Sequence, residues 1–122
     1  MFRTEGNMRR FMYLSHTADV EFVAYGKTFR QAMENAALAL LNVMLDLKKI
    51  QKENGKDAYV AVKEKAQTQE DLVWFTLQDI LSKVDSKKLN AIKFQVSSIK
   101  TDKKNAIAGR LLYRKSKRDF AL

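Results

Sequence analysis

Cysteine and proline are absent from this chain of 122 residues, and histidine and glycine are scarce. Without cysteine the chain has no disulfide, no iron–sulfur cluster, no cysteine-based zinc site and no cysteine nucleophile. Its one histidine, His16, excludes a histidine-rich metal site and a catalytic pair of histidines. The four glycines form neither GxGxxG nor a P-loop pattern, which argues against a glycine-rich phosphate loop.

Long hydrophobic runs are also missing. No apolar stretch approaches the length of about 18 residues that a membrane-spanning helix needs, and the N-terminus lacks the apolar run of a signal peptide. We therefore expect a cytoplasmic protein with no membrane partner. Apolar residues make up 46% of the chain and charged residues 30%, a balance typical of one globular domain over residues 1–122.

Acidic residues are outnumbered, because 23 lysines and arginines face 14 aspartates and glutamates, for a net charge of +9. Residues 1–46 are balanced, so the whole excess lies in residues 47–122. It is densest near the end of the chain, where the basic residues are Lys100, Lys103, Lys104, Arg110, Arg114, Lys115, Lys117 and Arg118. Such a segment can attract RNA phosphates or an acidic protein surface, and it is equally compatible with an exposed, solubilising tail.

The hydrophobic pattern predicts two helices and five strands. Apolar residues recur at three- and four-residue spacing in both helices and alternate in the better strands. The predicted helices are Thr28–Asp46 and Thr68–Val84, and the predicted strands are Phe11–Leu14, Val20–Tyr25, Ala58–Val62, Ile92–Val96 and Ala106–Tyr113. Loops are expected at Lys48–Gly55 and Asp85–Leu89. The order predicts an α+β fold, a compact two-layer sandwich with two helices packed on a mainly antiparallel sheet.

Helix-start signals support both helices. Thr28 followed by Gln31 is a capping box, and Thr68 can cap the second helix, where acidic residues in the first turn suit the helix dipole. Trp74 and Phe75 widen the apolar face of this second helix, which suggests that more than one of its sides is covered. The last two strands are separated by a short polar turn, which favours a hairpin.

Candidate functional residues cluster in the turn His16–Asp19 between the first two strands. The Asp19 carboxylate could ligate a hard cation such as Ca²⁺ or Mg²⁺, and His16 could act as an acid or base. Turn aspartates more often bind local amides, so a structural role is the stronger interpretation from the residue types alone. Phe94 and Tyr113 could stack on bases, although a place in the core is the better interpretation for large residues in strands. No set of residues supplies a nucleophile, a base and an anion stabiliser together.

Several of these segments together resemble the archease family. The resemblance lies in the HTAD turn at His16–Asp19, in Tyr25-Gly26, in the helix from Thr28 to Leu40 and in the segment Val43–Asp46 that follows. Asp71–Phe75 and the following Asp79–Leu81 resemble the second helix of the family more loosely. The similar region covers roughly residues 9 to 100.

The resemblance implies an accessory protein and not an enzyme. Archeases activate the RtcB-type tRNA-splicing ligase, promote guanylylation of its active-site histidine and help it to turn over repeatedly. The family fold is a compact α+β sandwich, in agreement with the hydrophobic pattern. The resemblance also implies a divalent-cation site, Ca²⁺ or Mg²⁺, with Asp19 as one ligand and His16 as a nearby polar contact.

The C-terminal part departs from the family pattern. Archeases usually continue into two further strands and end near a second metal-binding aspartate, whereas this chain ends at Asp119–Leu122. We expect a domain that lacks those C-terminal strands, in which Asp119 or the terminal carboxylate substitutes as the second ligand. The basic segment leaves open a basic RNA-binding module, and the resemblance leaves open a general protein chaperone.

Overall fold

A computed structural model of the chain describes residues 9–14 and 21–122. These residues form five strands and three helices, in an α+β arrangement. In chain order the elements are β1 (Phe11–Leu14), β2 (Glu21–Ala24), α1 (Phe29–Met44), α2 (Leu47–Lys52), β3 (Asp57–Ala66), α3 (Gln69–Lys87), β4 (Asn90–Thr101) and β5 (Asn105–Arg114). None of the helices in this part of the chain is long and apolar enough to cross a membrane.

The strands form two separate antiparallel sheets. β1 and β2 make a two-stranded sheet, and β3, β5 and β4 make a three-stranded sheet with β5 in the centre. β4 and β5 are joined by a short turn, which confirms the predicted hairpin. The predicted α+β fold with helices packed on a mainly antiparallel sheet is confirmed. The structure adds a third, short helix and divides the strands between two sheets.

The two long helices begin where their capping residues predict. Thr28 Oγ1 accepts the Gln31 N–H at 3.1 Å, and Gln31 Oε1 reaches back to accept the Lys27 N–H at 2.7 Å. Thr68 Oγ1 accepts the Asp71 N–H at 3.0 Å in the same way. Each contact satisfies an amide that has no partner inside the helix, and so defines the first turn.

The core lies between α1, α3 and one face of the three-stranded sheet. The alanines of α1 are fully buried, which lets this helix approach its neighbours closely. Larger side chains fill the space between the layers, among them Met33, Leu41, Leu72, Ile80, Val62, Phe94 and Leu111. The predicted core position of Phe94 is confirmed, since only 2% of it is exposed. Tyr113 is half-buried, at a position in register with the residues that face this core.

Gly109 allows Phe94 to pack flat on the central strand. A Cβ at Gly109 would lie 2.6 Å from two carbons of the Phe94 ring and 2.6 Å from the carbonyl oxygen of Gln95. Such distances are far below van der Waals contact, so a side chain at this position would displace the ring. The glycine is therefore required by packing between neighbouring strands, not by a turn.

Helix α2 begins one residue before the predicted loop Lys48–Gly55 and includes its first five residues, so that part of the prediction is wrong. Asp46 caps α2 by accepting the Lys49 N–H at 3.2 Å, and Ile50 is fully buried. Six residues with one buried apolar side chain do not give a helical pattern that sequence periodicity can detect. Tertiary contacts therefore stabilise this helix, in place of a local hydrophobic pattern.

Other boundaries also differ from the prediction. Helix α3 continues to Lys87, so the predicted loop at Asp85–Leu89 is mostly helical, and the helix ends at Lys88 in the left-handed conformation. Strands β3 and β4 are five and seven residues longer than predicted, because polar and charged residues occupy alternate positions in them. Trp74 and Phe75 are exposed, contrary to the prediction that they widen the apolar face of α3.

The three-stranded sheet has two chemically different faces. We call the face toward α1 and α3 the inner face; its residues include Val62, Glu64, Phe94, Val96, Ile107 and Leu111. The outer face carries the alternate residues of the same strands, which are Asp57, Tyr59, Ala61, Lys63, Lys65, Lys93, Gln95, Ser98, Lys100, Ala106, Ala108, Arg110, Leu112 and Arg114. Side chains alternate across a strand, so one sequence period produces both faces.

Candidate functional site

The two predicted functional residues of the first turn, His16 and Asp19, lie outside the described residues. The strand that leads toward this turn is described, and it is attached to α1. The Tyr13 hydroxyl donates to the Ala39 carbonyl at 2.7 Å and accepts from the Asn42 side chain at 3.1 Å. Arg10, by contrast, lines a cavity with residues of the N-terminal half of α1. β1 therefore runs along α1 toward the C-terminal end of that helix.

The C-terminal segment is attached to the same end of α1. The Asp46 N–H donates to the Phe120 carbonyl, and the Leu122 N–H donates to the Met44 carbonyl, both at 2.9 Å. Phe120 is buried and belongs to the core cluster. Asp119 precedes it, exposed to solvent, with its Oδ1 accepting the Ala121 N–H at 2.9 Å. The structure thus holds Asp119 beside the helix end toward which β1 runs.

A divalent cation needs more ligands than this segment supplies. Ca²⁺ takes about six to eight oxygen ligands. Within residues 9–14 and 21–122, no group of three or more acidic or histidine residues is assembled that could hold such an ion.

The predicted basic cluster is contiguous in sequence only. β5 separates its members, because Lys103 and Lys104 lie in the β4–β5 turn whereas Lys115 and Lys117 follow the other end of the strand. A ten-residue strand is about 30 Å long, so the two groups lie at opposite ends of the sheet. Lys100 and Arg110 lie on the outer face between them.

Arg114 is engaged in holding the fold together. Its Nε donates to Asp57 Oδ1 at 2.7 Å, and one terminal nitrogen donates to the Ile50, Gln51 and Glu53 carbonyls at 3.0–3.2 Å. The hydrogen bond with Arg114 holds the pKa of Asp57 below its usual range, and the same bond raises the pKa of Arg114. Arg114 thus ends α2 by satisfying its last carbonyls.

Arg118 is also partly engaged, at the same end of the molecule. Its guanidinium lies 3.5 Å from Glu53 Oε2 and 5.4 Å from the centre of the Phe120 ring. These contacts help to fix the segment that carries Asp119. Arg114 and Arg118, two of the eight basic residues predicted from the sequence, therefore make contacts that stabilise the fold.

The outer face contains functional candidates that the sequence reasoning missed. Lys63, Lys65 and Lys93 are exposed there, in the same surface as the predicted Lys100 and Arg110. The missed signal was the two-residue alternation from Tyr59 to Lys65, which extends the predicted strand Ala58–Val62 at its C-terminal end. Lys63 and Lys65 occupy solvent-facing positions of this longer strand.

Small residues on the central strand form the floor of a trough in this face. Lys63 pairs with Ala108 and Lys65 with Ala106 across β3 and β5, while Ser98 and Lys100 pair with the same two alanines from β4. The trough has a volume of about 480 Å³. Further along the same face, the pair after Lys63 and Ala108 is Ala61 and Arg110. The Arg110 guanidinium there lies 4.5 Å above the centre of the Tyr59 ring.

A second group of charges lies on the opposite side of the sheet. Glu64 faces α3, where burial and a hydrogen bond with Asp79 raise its pKa. Lys83 forms an ion pair with Asp79 on the next turn of the helix. The hydrogen bond with Asp79 directs Glu64 toward α3, although Glu64 also borders the trough.

Comparisons with known proteins agree on one family. The model of the Archease protein family (MTH1598/TM1083) matches residues 11–120. A protein archease of Methanosarcina barkeri is 34% identical over 94 residues, which cover 77% of this chain and 62% of that protein. A protein archease of Sulfolobus acidocaldarius is 37% identical over 90 residues, which cover 74% of this chain and 62% of that protein. The chain thus spans less than two-thirds of the length of these relatives.

The fold has a counterpart among solved structures. The solution structure of Methanobacterium thermoautotrophicum protein 1598 superposes with a TM-score of 0.67 and 24% sequence identity, covering 93% of this chain and 79% of that one. The likeness shows that the two chains share a fold. Because the family model matches nearly the whole described part, the chain belongs to the archease family.

Proposed function

We propose that this protein is a non-enzymatic accessory factor of an RtcB-type RNA ligase in tRNA splicing and RNA repair. It promotes guanylylation of the ligase and its multiple turnover. The observation that carries the proposal is the family match over residues 11–120, which includes both segments that converge on the C-terminal end of α1. The reacting groups belong to the ligase, so this chain contributes a contact surface and a bound cation, not a nucleophile.

We further propose that Asp19 and Asp119 are ligands of this divalent cation, with His16 as a polar neighbour. Support comes from the attachment of Tyr13 and of residues 120–122 to the same end of α1. Two carboxylates from separate segments are a common basis for a Ca²⁺ or Mg²⁺ site, with water completing the ligand set. The cation would supply positive charge at the surface that meets the ligase.

The experiment is ligase guanylylation with GTP and a divalent metal, with and without substoichiometric amounts of this protein. We expect faster and repeated formation of ligase–GMP with the wild-type protein. Asp19→Asn should reduce the stimulation at least tenfold, whereas Asp102→Asn, a matched control in the exposed β4–β5 turn, should leave it unchanged. No stimulation beside an active longer archease would contradict the proposal.

Calcium titration calorimetry tests the cation site without the ligase. Asp19→Asn and Asp119→Asn should each abolish the heat of Ca²⁺ binding, and circular dichroism should show that both variants remain folded. A variant that binds Ca²⁺ as the wild type does would remove that residue from the ligand set. Loss of fold in Asp19→Asn would assign Asp19 a structural role in the turn.

A further inference from the structure

The outer face of the three-stranded sheet concentrates positive charge. Lys63, Lys65, Lys93, Lys100 and Arg110 are all exposed on it. Within the three described strands, the only carboxylate on this face is Asp57, at one end and paired with Arg114. Such a surface attracts polyanions over the distance set by ionic screening.

The spacing of the lysines matches a single extended strand of nucleic acid. Lys63 and Lys65 are two residues apart on one strand, which places their backbones about 7 Å apart, a separation comparable to that of successive phosphates. Lys100 faces them from β4, two strand spacings or about 10 Å away. The trough between them has alanine at its floor, so its width suits one nucleic-acid strand and not a duplex.

An aromatic residue lies on the same face, beyond this trough. Tyr59 is 55% exposed, and Arg110 on the neighbouring strand lies against one side of its ring. Aromatic rings bordering a basic groove are the stacking platforms of proteins that bind single strands, and arginine adds a cation–π contribution. An acidic protein surface would make use of the lysines but not of an exposed aromatic ring aligned with the groove.

From this arrangement we propose that the outer face binds single-stranded nucleic acid. Lys63, Lys65 and Lys100 contact phosphates along the alanine trough, and Tyr59 stacks on a base beyond it. This function is separate from activation of the ligase and involves neither Asp19 nor Asp119. Lysines on an edge strand also oppose aggregation, but that role does not account for Arg110 on the central strand.

The test measures fluorescence anisotropy of a labelled twelve-residue oligouridylate at several salt concentrations, without ligase. We expect a dissociation constant on the order of 10 µM at low salt, rising steeply with salt because lysines displace counterions from the phosphates. The variant Lys63→Gln/Lys65→Gln/Lys100→Gln should weaken binding at least tenfold. It should also reduce the slope of log K against log salt by about 2, since each contact contributes about 0.7 for a single strand.

The matched control removes the same charge elsewhere. Lys27, Lys48 and Lys87 are exposed and lie outside the three-stranded sheet, so Lys27→Gln/Lys48→Gln/Lys87→Gln should change affinity less than threefold. Lys63→Arg/Lys65→Arg/Lys100→Arg should retain binding, because the charge is kept. Tyr59→Phe should bind as the wild type does, and Tyr59→Ala should bind about tenfold more weakly, as expected for loss of one stacked base.

Three outcomes would overturn the proposal. The first is no binding of the oligouridylate at low salt by a folded wild-type protein. The second is equal loss of affinity in the two glutamine triple variants, which would mean that only net charge matters. The third is displacement of the oligouridylate by poly-L-glutamate at equal charge concentration, which would assign the face to an acidic protein partner.

Discussion

The inner and outer faces of the three-stranded sheet are built from the same three strands, yet they differ in almost every physical respect. Opposite Val62 on the inner face are Gly109 and Val96, and the neighbouring row brings Phe94 against Leu111. On the outer face, Ala106 lies between Lys65 and Lys100, and Ala108 lies between Lys63 and Ser98. Alternate residues of one strand can therefore serve separate purposes. Those on the inner face exclude water and stabilise the fold, whereas those on the outer face remain in water and are available for binding.

The largest effect is expected from breaking the inner face. Phe94→Ala removes a ring that is 98% buried and leaves a cavity against Gly109, so the free energy of unfolding should fall by about 3–5 kcal/mol. Urea denaturation monitored by circular dichroism measures the change. A loss below about 1 kcal/mol would mean that Phe94 is not a central packing element of this face.

A smaller effect is expected from overfilling the same contact. Gly109→Ala places a methyl group where the Phe94 ring lies, and displacement of the ring should cost about 1–3 kcal/mol of stability. The double variant Gly109→Ala/Phe94→Leu should recover part of this loss, because the smaller side chain vacates the space. Simple addition of the two single effects in the double-mutant cycle would contradict the direct contact.

The charged residue Glu64 on the inner face should make the free energy of unfolding depend on pH. The folded-state pKa of Glu64 is raised above its ordinary value of 4.5, so the folded protein binds this proton more tightly than the unfolded chain does. This contribution to stability is present below pH 4.5 and is lost as the pH rises through the folded-state pKa. Glu64→Gln should therefore flatten the decline of stability above pH 4.5.

Denaturation at a series of pH values measures this difference between wild type and Glu64→Gln. Asp57 is the useful counterpart, because its lowered pKa has the opposite sign: its contribution is present above pH 3.8 and is lost as the pH falls. Asp57→Asn should therefore lower stability above pH 3.8 and reduce the fall in stability on the acid side of the profile. A parallel displacement of the whole profile in Glu64→Gln would argue against the raised pKa.

The smallest effect on stability is expected on the outer face. Lys63→Gln/Lys65→Gln/Lys100→Gln changes exposed side chains without packed partners, so the unfolding free energy should stay within about 0.5 kcal/mol per substitution. The same variant should lose nucleic-acid binding, which makes the comparison a test of function against stability. A strongly destabilised variant would show that the lysines belong to the structural framework.

Much of the fold could be predicted from the sequence because local signals agreed with tertiary structure. Thr28 and Thr68 start the long helices as their capping patterns indicate, and the alternation around Phe94 predicts its burial. Helix α2 could not be predicted, since its stability depends on burial of Ile50 and on Arg114, which is 64 residues further along the chain. Sequence patterns over short windows do not contain such contacts.

The candidate surfaces were predicted less completely. Counting charge along the chain grouped Arg110 with Arg114 and Lys103, whereas strand register groups it with Lys63 and Tyr59. Register between distant strands follows from the whole sheet, so linear charge density could not reveal the outer face. The role of Asp19 stays a prediction, carried by the family resemblance.

The most direct test of the account is a double dissociation in ligase guanylylation and oligouridylate binding. We propose that the ligase contact and the nucleic-acid contact are on separate surfaces. We therefore expect Asp19→Asn to lose stimulation of ligase–GMP formation but to bind the oligouridylate normally, and Lys63→Gln/Lys65→Gln/Lys100→Gln to do the reverse. If either variant lost both activities while remaining folded, the separation of the two surfaces would be contradicted.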